Sequence, residues 1–209
     1  MDIKEEQKKI MKSELLEEAF SWAKVIIFAV VFALVVNNYV IVNASVPTGS
    51  MVDTINEKDR VVAFRLAYKF SAKPERYDIV VFRYPVDESG KTLFVKRIIG
   101  MPGETVEIRR DGKVYINGSD TPLRDDFISS EIVSGYGEYR VPEGHYFMMG
   151  DNRFNSLDSR AWAAEWAKTH DVGEGFDYKN DIVNFVAEDK ILGKVIFKYF
   201  PGIEMLYNK

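Results

Sequence analysis

An unbroken apolar run from Val25 to Val36, extended by Trp22 and Ala23 before it and by Tyr39 to Val42 after it, removes most folding options for the start of this chain. The stretch reaches about 20 residues, the length at which a helix crosses the hydrocarbon of a bilayer. Lys24 and the pair Asn37-Asn38 mark its edges. Lys4, Lys8, Lys9, Lys12 and Lys24 come before the run, and after it no Lys or Arg occurs until Lys58. Under the positive-inside rule this asymmetry puts the amino terminus in the cytoplasm, and the glutamates of the leader count for little. The expected division is a cytoplasmic amphipathic leader over 1–21, a transmembrane helix over 22–42 and an extracytoplasmic domain over 43–209, making a single-pass protein of the plasma membrane.

A cleaved secretory signal is the competing interpretation, because Val42-Asn43-Ala44 has small residues at the two positions a processing enzyme inspects. Retention as an anchor fits better. The leader is long and holds Glu5, Glu6, Glu14, Glu17 and Glu18, and Ile3, Ile10, Met11, Leu15 and Phe20 follow a rough helical stripe, unlike a short basic n-region.

The 209 residues, 46% of them hydrophobic, allow one membrane element and one compact domain with its own core. A net charge of -4 leaves no basic footprint for nucleic acid, which is excluded as a partner. Cysteine is absent, so thiol catalysis, disulfides and cysteine-ligated metal sites are excluded.

Beyond the apolar run the pattern turns to short β-branched and aromatic segments: Arg60 to Phe64, Asp78 to Arg83, Leu93 to Ile99, Thr105 to Ile108, Lys113 to Ile116, Tyr146 to Met149 and Ile191 to Phe200. Asp111-Gly112 lies between two of them and predicts a tight antiparallel hairpin, because such a turn needs positive φ angles that Gly adopts at little cost. Ala161 to Lys168, with Trp162 and Trp166 four apart, predicts a short helix. The fold class expected is mainly β: a mostly antiparallel domain after the membrane helix, with a small hairpin cap and a short helical insertion.

Two places concentrate chemistry. In Leu93-Phe94-Val95-Lys96-Arg97-Ile98-Ile99, strand alternation puts Lys96 on one face with Phe94 and Ile98 and Arg97 on the other. Desolvation penalises a charged ammonium, so a lysine held there becomes a neutral amine able to take a proton. At its reference pKa of about 10.4 a lysine is neutral in about one molecule in a thousand near pH 7.4, and lowering that by about three units takes roughly 4 kcal/mol. The candidate partner is Ser50, in the Gly-Ser turn of Val46-Pro47-Thr48-Gly49-Ser50-Met51. The second place is Gly150-Asp151-Asn152-Arg153-Phe154-Asn155-Ser156-Leu157-Asp158-Ser159-Arg160, a polar loop following a strand. A calcium loop is a poor match, since Arg153 occupies a ligand slot and Ser156 stands where that loop needs Gly. An Asx-bonded turn accounts for Asp151 and Asn152 but leaves the serines and the Asp158/Arg160 pair unexplained.

These segments resemble the bacterial type I signal peptidases, membrane-anchored serine proteases with a Ser/Lys dyad. Thr48-Gly49-Ser50-Met51 is similar to the nucleophile motif, Tyr77 to Phe82 to the strand motif that follows, Lys96 to Glu104 to the general-base motif, Gly150 to Arg160 to the last box, and Ile191-Leu192-Gly193-Lys194 to the closing strand. The likeness spans most of residues 22 to 200, and the joint occurrence of a membrane span, Gly-Ser-Met, Lys-Arg-x-x-Gly-x-Pro-Gly and Gly-Asp-Asn-Arg is far more specific than any one of them.

The resemblance implies roles: Ser50 as acylating nucleophile, Lys96 as its base, and Thr48 through its hydroxyl with the Ser50 backbone N–H as oxyanion hole. It implies that Ser156 orients the Lys96 amine, that Asp158 and Arg160 brace the site, and that Asp151 and Asn152 are structural. It further implies removal of signal peptides from secretory preproteins at the outer membrane surface, after small residues. The phospholipid bilayer and the secretion translocon are the other implied partners, and no metal or organic cofactor is required. Two departures stand out. Asp53 replaces the proline expected after Met51 and Val52, which is expected to loosen the turn behind the nucleophile. The stretch from Gly103 to Tyr146, about 40 residues, holds only a hairpin-sized cap, and Ala161 to Ile182 reads as an insertion.

Two rivals remain. His145 and His170 permit a Ser-His-Asp protease, although His145 beside Pro142-Glu143-Gly144 is more like a turn residue. A membrane-tethered, non-catalytic β-domain that binds partner proteins is the rival from another class, with Lys96 then an ordinary edge lysine.

Overall fold

A computed structural model of the chain describes residues 3–132 and 134–206 and divides it into two units, residues 1–40 and 41–209, each with its own internal contacts. In the first unit a single helix, α1 (Ile3–Val35), runs into one π-helical turn, Val36–Val40. Leader and apolar run are therefore one uninterrupted helix, with Glu14–Val40 long and apolar enough to cross a membrane. Ile26, Ile27, Phe28, Val31 and Phe32 are all exposed, as side chains meant for lipid would be. The side chains of Ile3 and Ile10, part of the expected stripe, lie outside the described residues, as do residues 207–209 of the expected domain.

The second unit starts with β1 (Ile41–Ser45), so Ile41 and Val42 belong to a strand and not to the end of the span. They pair with Phe64 and Ala63 of β2 (Arg60–Phe64). The remaining strands are β3 (Ile79–Arg83), β4 (Leu93–Gly100), β5 (Thr105–Ile108), β6 (Val114–Ile116), β7 (Gly137–Arg140), β8 (His145–Met149), β9 (Val186–Ala187), β10 (Ile191–Phe200) and β11 (Glu204–Met205). The main sheet has the order β1-β2-β10-β3-β4-β8-β9, with β11 added beside β10, and every strand ladder is antiparallel. The mainly β, antiparallel architecture expected from the sequence is what forms. The cap is larger than a hairpin: β7 joins the β5–β6 hairpin in a three-stranded sheet, with Gly112 at φ 77 in the predicted turn.

The continuous apolar run Ile79-Val80-Val81-Phe82 is explained by burial on both faces. Ile79 and Val81 pack with Met51, Ile55, Ala63 and Val195, while Val80 and Phe82 pack with Ile98, Met148 and Trp162. A third cluster, including Ile99, Val106, Phe147 and Phe185, joins the main sheet to the cap. Gly100 sits where they meet: a Cβ there would lie 2.5 Å from Val106 Cγ2 and 2.8 Å from Phe147 Cβ, so no larger residue fits without a shift.

The predicted helix contracts to α2 (Trp162–Trp166), and the rest of the insertion is irregular chain. Its Trp162 is fully buried against Phe82 and Tyr84, while Trp166 stacks on His170. Farther along, the Lys179 ammonium donates to the Tyr136 carbonyl and Asn180 Oδ1 accepts from the Arg140 N–H, tying the insertion to β7.

Candidate active site

Ser50 lies at the centre of a single 3-10 turn, Gly49–Met51, entered from Thr48 in extended conformation. The turn is fixed from below, since Met51 and Ile55 are fully buried. The amides of Thr54 and Ile55 both donate to the Met51 carbonyl, at 3.0 and 2.7 Å. Asp53 in the proline position therefore does not loosen it; packing and these bonds supply the rigidity that a fixed proline φ would give. Asn152 holds the opposite side, its side-chain amide donating to the Gly49 carbonyl at 3.0 Å and its backbone N–H to the Ser50 carbonyl at 3.1 Å. Gly150 is required here, because a Cβ would stand 2.3 Å from the Ser50 carbonyl oxygen.

Lys96 arrives from β4. It pairs with Val80 of β3, alternates with Phe94 and Ile98 as expected, and is 3% exposed. Its Nζ lies 2.6 Å from Ser50 Oγ, donates to the Val95 carbonyl at 3.2 Å and stands 5.1 Å from the centre of the Phe94 ring. Burial is the largest influence on the amine and pulls its pKa down to about 8; Asp158 and Asp151 work against that and Arg160 with it. At such a value roughly a fifth of the molecules carry a neutral amine near pH 7.4. Thr48 Oγ1 is 3.4 Å from Ser50 Oγ, so the serine hydroxyl has both the Lys96 amine and a second hydroxyl beside it.

The 150–160 loop contributes two buried ion pairs. Arg97 grips Asp151 with two bonds, Nε to Oδ1 at 2.8 Å and Nη2 to Oδ2 at 2.6 Å, and Nη1 donates to the Tyr77 carbonyl. Thr54 Oγ1 donates to the same carboxylate at 2.7 Å, which links the Ser50 turn to β4 and β8. Arg160 holds Asp158 through Nε at 2.7 Å and Nη2 at 2.8 Å, and the Gly150 N–H donates to Asp158 Oδ2 at 3.1 Å. Burial alone would raise the Asp158 carboxyl, but the Arg160 charge and these bonds hold it below the usual range. The acids that a calcium loop would use are thus each engaged by a guanidinium.

Ser156 is the exception. Its Oγ is buried beside Gly150 and Asp158 and makes no hydrogen bond to Lys96. The histidines stay apart from the dyad: His145 Nδ1 contacts the Glu143 carbonyl, and His170 contacts Trp166 and Thr169. Sequence reasoning missed Arg97, Thr54 and Ser130 as site-builders. Ser130 Oγ donates to Asn152 Oδ1 at 2.9 Å, and only the three-dimensional path of the 119–130 chain brings it there.

A cleft of about 480 Å³ opens over the dyad, inside the size range of ligand-binding clefts. One wall is the chain from Ala44 to Ser50 and the other is Thr92 to Lys96, with Val46, Leu93, Phe94 and Val95 making it largely apolar.

The profile of the family described as signal peptidase, peptidase S26 matches residues 19–200. Signal peptidase I T of Bacillus subtilis is 31% identical over 196 residues, covering 90% of this chain and 89% of that protein. Signal peptidase I S of the same organism is 38% identical over 164 residues, covering 72% and 84%. Among solved structures, a signal peptidase I from Enterococcus faecalis V583 is 31% identical, with a TM-score of 0.40 over 58% of this chain and 96% of that one.

Proposed function

The chain belongs to the signal peptidases of peptidase family S26, and from that premise we propose that it cleaves signal peptides from exported preproteins with Ser50 as nucleophile and Lys96 as general base. The observation that carries this is the 2.6 Å approach of Lys96 Nζ to Ser50 Oγ at a buried position on the cleft floor. No histidine stands within hydrogen-bonding distance of that serine among the described residues, which removes the support for a Ser-His-Asp arrangement.

The geometry suits the following course. Ser50 Oγ attacks the scissile carbonyl while the neutral Lys96 amine takes its proton, so an ammonium forms as the oxyanion does. The Ser50 N–H and the Thr48 hydroxyl receive the oxyanion, an interaction whose loss typically costs about 3 to 4 kcal/mol of the barrier. Lys96 then returns the proton to the leaving amine, the peptide bond breaks, and the acyl group remains on Ser50. Water, deprotonated by the same amine, attacks the ester and regenerates both groups. Asp158 with Arg160 and Asp151 with Arg97 support the site, and Asn152 positions the nucleophile turn. An extended substrate between the 44–50 and 92–96 walls meets shallow apolar ground, which favours small side chains one and three residues before the cut.

The lysine asymmetry around α1 favours a single-pass protein with a cytoplasmic amino terminus and this domain on the outer face of the plasma membrane. Secretory preproteins and the phospholipid bilayer are then its partners, with the secretion translocon as the source of substrate. The test is incubation of the detergent-solubilised full-length protein with a preprotein. Processing is expected from the unaltered chain and not from Ser50→Ala or Lys96→Ala; cleavage retained by Lys96→Ala would overturn the lysine base.

A further inference from the structure

Two charged side chains line the cleft: Lys96, and Glu57, the one carboxylate among the lining residues. Glu57 belongs to the tight turn Asn56 to Asp59 that leads into β2. The Asp59 N–H donates to the Asn56 carbonyl at 3.2 Å and the Asn56 N–H to Asp59 Oδ2 at 2.9 Å. Lys58, left-handed at φ 69, donates its N–H to the Val46 carbonyl at 2.8 Å, which fixes the turn to the 44–50 wall. The acid reaches the chain just before Ser50, since a Cβ on Gly49 would lie 3.2 Å from Glu57 Oε1. No cation is paired with it among the described residues. The charges that act on the Lys96 amine are Asp158, Asp151 and Arg160, so the proposed chemistry leaves Glu57 without a role.

An unpaired carboxylate in a largely apolar cleft gives the space in front of it a negative potential. Gly49 is one residue from Ser50, and an extended substrate advances about 3.3 Å per residue, so the side chains that Glu57 meets lie within two positions of the scissile bond. We propose that Glu57 is a specificity-determining residue: it favours a substrate with Lys or Arg within two residues of the cut and disfavours Asp or Glu there through like-charge repulsion. This preference rests on the proposed proteolysis and adds a charge to the small side chains expected one and three residues before the cut. Glu57 is solvent-exposed, so the effect is modest, about two- to fivefold.

The test uses peptides spanning a preprotein cleavage junction, with Lys or Glu placed in turn at the second residue before the cut and at the first and second after it. The detergent-solubilised full-length protein is expected to cleave the Lys peptide with a kcat/KM about two- to fivefold above that of the Glu peptide at one or more of these positions. The ratio should approach one in Glu57→Gln, invert in Glu57→Lys and fade at high salt. Each ratio is taken within one preparation, so any loss of folded enzyme cancels. A ratio near one at all three positions, or one that Glu57→Gln leaves in place, overturns the charge preference. Fluorescence anisotropy of the same labelled peptides on Ser50→Ala, with and without Glu57→Gln, measures Kd without turnover and should show the same preference, lost with Glu57→Gln. Cleavage without any charge preference ends the role of Glu57 alone. If no peptide is cleaved, the proteolytic assignment fails and the Kd values decide: a preference that Glu57→Gln does not remove, or no binding at all, overturns the role of Glu57.

Discussion

Asn152 and Gly49 are joined by a 3.0 Å hydrogen bond from side-chain amide to backbone carbonyl, so the residue preceding Ser50 is held by a loop about a hundred positions later in the chain. Asn152→Ala removes that bond and leaves the Gly49 carbonyl to water. A small displacement of a reacting atom can lower a rate by about a hundredfold. We expect kcat for preprotein cleavage to fall between about ten- and a hundredfold with KM nearly unchanged, measured under steady-state conditions on the purified variant.

In the proposed mechanism the Lys96 amine must be uncharged to accept the Ser50 proton, and burial brings its pKa to about 8. Activity should therefore be low at pH 6 and rise through about pH 8, as kcat/KM reports the free enzyme's base. Asp158 opposes the downward pull on this amine, so Asp158→Asn should move the acid limb to lower pH. A limb that stays in place, or moves upward, would show that the limb belongs to another group.

The same burial makes a stability prediction with a definite sign. Lys96 has a lower pKa folded than unfolded, so between about pH 8 and about 10.4 the unfolded chain binds more protons and stability rises with pH. Below pH 8 the full penalty of the confined ammonium applies, on the order of 3 kcal/mol. Lys96→Met should thus abolish processing yet raise unfolding free energy at pH 7 by about 1 to 3 kcal/mol, with the gain disappearing above about pH 10. Denaturant melts at pH 7 and pH 10 measure it.

Arg97 and Asp151 have side chains 0% and 1% exposed, and each bond between them is made away from water. Removing one partner of such a pair strands a buried charge and typically costs about 3 to 5 kcal/mol. Asp151→Ala should fall in that range by chemical denaturation. Replacing both residues by apolar ones, Arg97→Met with Asp151→Leu, should recover a large part of the loss.

Much of this site could be read from the chain because its parts are local. The Gly-Ser turn, the alternation that separates Lys96 from Arg97, and the Asp-Gly hairpin each depend on neighbours within a few residues. The Arg97–Asp151 bonds, the Thr54 link and the Ser130–Asn152 contact join segments far apart in sequence, and no local pattern specifies such pairing. Strands β1 and β7 were missed for different reasons. Ile41 to Ser45 continues the apolar run without a turn signal, and Gly137 to Arg140 has almost no apolar character apart from Tyr139. Ser156 remains a residue whose implied bond to Lys96 is not made in this arrangement.

Lys96 and Arg97 are consecutive on β4 and serve opposite faces, so the parity of a single ladder decides which cation meets the serine. A slip of one position would put a guanidinium that never gives up its proton beside Ser50 and hand Asp151 a lysine too short for the fork. Under the proposed mechanism, correct pairing of β4 with β3 and β8 is thus a condition for having chemistry at all: a misregistered molecule would be inert, and secretion would be spared a protease that cuts before it has finished folding.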